Sequence, residues 1–174
     1  MARQECLCNL IHLPNMDYYQ SVVLDYLEAD RAFFVNAEYC IQINPGDNPD
    51  TTGPHWYCDA VALDLRAKEV FLCEISYATH LADLTKRLKG WHDNWDGVRR
   101  ALVRDGFISE SWPVRPWLFV PQERVDLLKK RLLQIANGQP KFKVRITPLE
   151  MVQPWRYPNF NHKHAEQSTD NMQA

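Results

Sequence analysis

The sequence predicts an α/β fold, a mixed central sheet with helices on both faces. Three observations carry that expectation. Segments of strand length alternate with segments of helical period along the chain. The stretch Trp56 to Ala78 holds two apolar runs joined by the polar Leu65-Arg66-Ala67-Lys68, the pattern of a β-hairpin. Both faces of that hairpin are mostly apolar, as in central strands covered on two sides.

Composition narrows the class. The 174 residues suffice for one domain with a core, and the expected division is a single domain over 1–153 with a tail, partly disordered, over 154–174. A hydrophobic fraction of 45%, a charged fraction of 24% and a net charge of −2 are ordinary for a soluble protein. Nucleic-acid contact would therefore need a local basic patch. No run approaches the roughly 20 apolar residues of a membrane span, so no membrane partner is expected. The opening MARQECLCNLIHLPN is too short and interrupted for a signal peptide. Five cysteines, three of them (Cys40, Cys58, Cys73) in apolar runs, fit reduced core thiols in a cytoplasmic protein.

Taken in order, Cys6, Cys8 and His12 lack the second close pair that a structural zinc site usually requires, and a short N-terminal strand or arm is the preferred reading. Asn15 can cap a helix over 16–29 whose stripe is Tyr19, Val22, Val23, Tyr26 and Leu27, with Asp25 and Glu28 near its end. Residues 32–43 read as a strand. The Pro-, Gly- and Asp-rich 44–54 is a loop that delivers the chain to Asp59 and could border a site there. Past the hairpin, Thr79 can cap a helix with a sustained seam, Leu81, Leu84, Leu88, Trp91, Trp95, Val98 and Leu102. Gly90 and Gly97 weaken it, so a bend near either is expected, and Gly106 ends it. Its polar flank is basic and includes Lys86, Arg87, Lys89, Arg99 and Arg100. Trp117–Val120 is a short buried strand, and Pro121 opens a helix that Asn137-Gly138 stops. The alternating Lys141–Ile146 reads as an edge strand whose charges guard against aggregation.

The chemistry concentrates in the hairpin. With the turn centred between Arg66 and Ala67, paired positions sum to 133 and Asp59 faces Glu74. Side-chain alternation puts Asp59, Val61, Leu63, Val70, Leu72, Glu74 and Ser76 on one face. Two facing carboxylates in a sheet repel and are costly to bury. A divalent cation bound between them removes the conflict, since hard cations take carboxylate oxygens. A basic side chain paired with them, or a register that separates them, would also remove it.

Asp59, the hairpin, and Glu74-Ile75-Ser76 in an apolar strand resemble the PD-(D/E)XK nuclease superfamily, whose motif is an acid on one strand and Glu or Asp, any residue, then Lys on the next. The order helix, strand, hairpin, helix, strand, helix, strand is similar to the restriction-endonuclease-like core. The resemblance implies Mg²⁺- or Mn²⁺-dependent cleavage of DNA phosphodiesters, with Asp59 and Glu74 as metal ligands and Glu28 as an assisting acid. Ser76 stands at the catalytic Lys position and Cys58 at the usual Pro. Ser76 can donate a hydrogen bond but carries no charge, so Lys86 or Lys89 is the expected substitute cation. Lys86, Lys89, Arg99 and Arg100 are the expected contacts to nucleic acid. Two alternatives accompany the nuclease reading: a catalytically inactive DNA- or protein-binding module of the same fold, and an unrelated α/β interaction protein with structural acids. Like-charge repulsion further predicts that removing either acid, without metal, leaves the fold intact or more stable.

Overall fold

The computed structural model describes residues 18–44, 55–106, 108–137 and 139–153. Asn15, the cysteines and histidine of the N-terminal arm, the loop over 45–54 and the tail from Pro154 lie outside them. Among the described residues the fold is α/β with four α-helices and one five-stranded mixed sheet. Helix α1 (Tyr18–Glu28) precedes β1 (Phe33–Gln42), β2 (His55–Asp64) and β3 (Glu69–Ile75). Helices α2 (Ala82–Asp93) and α3 (Trp95–Arg104) then lead to β4 (Val114–Val120), and α4 (Val125–Ala136) to β5 (Arg145–Pro148). The strand order is β1-β2-β3-β4-β5. The first three strands pair antiparallel, and β4 and β5 are added in parallel, each after a helical crossover.

The hairpin register is the expected one, from Asp64↔Glu69 to Ala60↔Cys73. Its turn is built locally: Asp64 Oδ1 accepts the amides of Arg66 (2.9 Å) and Ala67 (3.0 Å), and Lys68 takes a left-handed φ of 55°. Arg66 reaches back from the turn to an ion pair with the buried Asp30 at the end of α1.

Each sheet face carries its own core. On one side α1 packs Val22, Val23, Tyr26 and Leu27 over Ala60, Ala62, Phe71 and Trp117. On the other, the seam of α2 and α3 and the inner residues of α4 cover Val61, Val70, Leu72 and Leu118. Arg145, expected on a charged edge, instead lays its guanidinium 3.7 Å from the Trp117 ring centre, a cation–π contact on the α1 side. The edge strand itself is shifted to Arg145–Pro148 and leaves out Lys141 and Lys143, because Phe142 packs against Trp95 of α3 at 4.5 Å.

Strand alternation breaks at one level of the sheet. Phe33, Val35 and Ala37 of β1 face the α1 core, whereas Tyr39 and Ile41 face the other. In β2, Ala60 and Ala62 face α1, while Trp56 and Cys58 face α2 and α3. The switch falls where Glu38, at φ 53°, stands opposite Asp59, and this is the one position skipped between Ala37↔Ala60 and Tyr39↔Cys58. A left-handed residue turns the pleat over, so each strand buries residues of the same parity on opposite sides of its kink.

The long helical seam is two helices, and the break is at Asn94, between the two glycines. Asn94 donates its amide to the carbonyls of Gly90 (3.2 Å) and Trp91 (3.1 Å) and its side-chain Nδ2 to Gly90 (2.9 Å). Gly90 has another purpose: a Cβ there would stand 2.9 Å from Nε1 of Trp56, so its absence lets α2 close onto β2. Thr79 does not cap α2. The helix starts at Ala82 after a left-handed Leu81 (φ 50°) with no side-chain cap, because the buried Leu81 sets the entry.

Candidate functional site

Asp59 and Glu74 do converge, on the side of the sheet covered by α2. Asp59 sits at the kink of β2, where regular pairing with β3 ends, and its Oδ2 accepts the Ile75 amide at 2.6 Å. The side chain thereby replaces a backbone carbonyl and carries the β2–β3 contact one step further. Glu74 is on β3, where it pairs with Leu118 of β4, and only 2% of its surface is exposed.

A cation already joins the two acids, and it is Arg87 of α2. Its Nη1 donates to Glu74 Oε2 at 2.5 Å and lies 3.9 Å from Asp59 Oδ1. The side chains of Asp59 and Arg87 are 28% and 32% exposed, so the pair opens to solvent on the Asp59 side. Glu74 Oε1 is buried and has no hydrogen-bond partner among the described residues.

Burial and then the neighbouring Asp59 charge push the Glu74 carboxyl up to about 8, against the pull of Arg87. For Arg87 the signs reverse. Burial opposes its charge, but Glu74 and Asp59 outweigh that and hold the guanidinium above its usual range. Burial, followed by the charge of Glu74, also pushes the Cys58 thiol far up, so it behaves as an inert core residue.

The other expected site residues lie elsewhere. Ser76 is half-buried, gives its amide to Phe119 (2.9 Å), and its Oγ accepts the Ala78 amide at 3.4 Å, a local turn contact. Glu28 is exposed on α1, the helix of the opposite face, and is not brought to the acid pair. Lys86 is exposed, and Lys89 is exposed and paired with Asp93 at 2.6 Å one turn on, so neither is the cation at the acids. Helical phasing explains the difference. Arg87 follows the buried Leu84 by three residues and precedes the buried Trp91 by four, so it borders the inner stripe, whereas Lys86 and Lys89 project away from it. That spacing was available in the sequence and puts Arg87, unlike Lys86 and Lys89, at the edge of the buried stripe, but it does not say which strand residues the stripe meets.

Arg99 and Arg100 are brought together along α3 with Arg104, in an open groove of about 720 Å³ that Ile43, Asp96 and Glu110 also line. Arg99 donates to the Glu110 carbonyl (3.0 Å), and Arg104 to those of Gln42 (2.9 Å) and Ile43 (3.3 Å). Arg100 is exposed. Among the described residues no group of three or more His, Cys, Asp or Glu side chains is placed to hold a metal ion. None of the described helices is long and apolar enough to cross a membrane. No protein-family model, no curated protein and no solved structure matches this chain.

Proposed function

We propose that this chain is a metal-dependent DNA phosphodiesterase of the PD-(D/E)XK type, with Asp59 and Glu74 as the ligands of Mg²⁺ or Mn²⁺. The observation that carries the reading is the convergence of two carboxylates from adjacent strands, one with a buried oxygen that has no partner among the described residues. A hard cation suits that donor set, because Mg²⁺ is commonly held by one or two carboxylates with water and phosphate filling the rest. Bound there, it would polarise a phosphodiester and activate a water molecule. The order of helices and strands supports the restriction-endonuclease-like assignment of the fold. Ser76 supplies no charge, and the basic groove along α3 is the surface best suited to hold the DNA backbone.

A second reading follows from one contact. Arg87 already neutralises Glu74 at 2.5 Å, so the same fold can serve as a catalytically inactive module that binds DNA or a protein partner. Calorimetric titration with Mg²⁺ and Mn²⁺, beside cleavage assays on linear, circular and single-stranded DNA, separates the two. The nuclease reading expects metal binding that is lost in Asp59→Ala and Glu74→Ala, with weak cleavage. Ser76→Lys should then raise cleavage. A parent protein that takes up neither metal leaves the inactive module.

A further inference from the structure

Arg87 carries the inactive-module reading, but the nuclease reading assigns it no purpose. It comes from α2, across the packing interface from the two strands, and its Nη1 contacts Glu74 while facing Asp59. A cation that bridges two carboxylates is a stand-in for a metal ion in charge and in place. It differs in being tethered, so it cannot diffuse away, and in carrying one charge against two. The arrangement is also unbalanced. Arg87 holds one oxygen of Glu74, and the other, Oε1, is buried with no donor among the described residues.

We infer that Arg87 is a built-in competitor of the divalent cation, a tethered counter-ion that the metal must displace from Asp59 and Glu74. This rests on the metal-site reading proposed above. A metal held between Asp59 and Glu74 would lie close to the guanidinium that contacts Glu74 Oε2 and faces Asp59 Oδ1, and the two cations would repel strongly. Arg87 is about one-third exposed, which leaves it a path to swing toward solvent. The side chain therefore sets the metal concentration at which the site loads, and it stays paired with Glu74 below that concentration. Lysine in the same place would compete less well, since an ammonium lacks the planar fork that matches a carboxylate.

The test compares metal binding in the full chain and in Arg87→Gln and Arg87→Lys. Titration with Mn²⁺ and Mg²⁺ by calorimetry should show Arg87→Gln binding about tenfold tighter or more than the parent, with Arg87→Lys between them, since a nearby like charge has been removed. Without metal, Arg87→Gln should melt below the parent, and Mn²⁺ should restore it. If the parent binds metal and Arg87→Gln binds it no more tightly, the inference is overturned while the metal site stands. If Arg87→Gln binds metal and the parent does not, the inference stands and the native chain is the inactive module. If no variant binds metal, both fall. Should Arg87→Gln fail to fold, Arg87→Lys decides alone: affinity equal to the parent overturns the inference, and tighter binding upholds it.

Discussion

Arg87 Nη1 lies 2.5 Å from Oε2 of Glu74 on β3 and 3.9 Å from Oδ1 of Asp59 on β2, so two strand acids share one helix cation. The hairpin brings the acids together, but only the packing of α2 onto the sheet decides what stands between them. The energetic consequence is a carboxyl group, Glu74, that is buried beside a second carboxylate with its charge only partly offset.

Stability should therefore depend on pH in an unusual direction. The Glu74 carboxyl is raised from 4.5 to about 8 in the folded protein, so between those values the folded state holds a proton that the unfolded chain releases. Its contribution is complete below about pH 4.5 and is lost as pH rises through 8. Urea midpoints at pH 5, 7 and 9 should fall along that series. Glu74→Gln, which resembles the protonated side chain, should flatten the decline and keep neutral-pH stability within about 1 kcal/mol of the parent. A parent midpoint that rises from pH 5 to pH 9 would contradict this.

Asp59 is a structural acceptor as well as a candidate ligand. Repulsion alone predicts a gain on removing either acid, but the Ile75 amide donates to Asp59 Oδ2 at 2.6 Å. Asp59→Ala strands that amide and should cost about 1–2 kcal/mol despite the relief at Glu74. Asp59→Asn keeps an acceptor and removes the charge, so it should be closer to neutral. Equal denaturation midpoints for the alanine variant and the parent would show that the bond contributes nothing.

Gly90→Ala should destabilise the fold although alanine is the better helix former by about 1 kcal/mol. The new methyl would fall 2.9 Å from Nε1 and 3.0 Å from Cζ2 of Trp56, forcing the indole or α2 to move. A net loss of about 1–2 kcal/mol is expected, with a change in near-ultraviolet circular dichroism from the displaced tryptophan. A variant more stable than the parent, with an unchanged spectrum, would mean that Trp56 repacks freely.

DNA binding, if it uses the α3 groove, should follow its arginines. Reversing Arg99 and Arg100 to Glu should weaken binding and make the salt dependence shallower, because fewer counterions are released. The matched Lys86 and Lys89 reversal should do less, since Lys89 is already paired with Asp93. Fluorescence anisotropy at several salt concentrations measures both. Affinity unaltered by the arginine reversal would remove α3 from the interface.

Much of the fold was legible because it depends on local order. The turn at Leu65–Lys68 sets the hairpin register, and that register alone placed Asp59 near Glu74. The seam from Leu81 to Leu102 specified a buried helical face, and the order of apolar runs specified a mixed sheet covered on both sides. Periodicity could not locate the helix break, because Asn94 ends α2 with its own hydrogen bonds while the suspected glycines serve close packing. Nor could alternation reveal the face switch, since it depends on a left-handed Glu38 that is opposite Asp59 only after β1 and β2 pair.

What the sequence determined by itself was thus the pair of acids, their strands and their shared side of the sheet, all consequences of short-range geometry with a period of two. What the tertiary structure decided was their partner. Of the basic residues on one helical flank, the crossing of α2 over β2 and β3 selects Arg87, excludes Lys86 and Lys89, and leaves Glu28 on the far side of the sheet. Such a choice rests on the rotation and distance of one element against another. Those are set by the packing of whole side chains, such as Trp56 against Gly90, which no single segment contains.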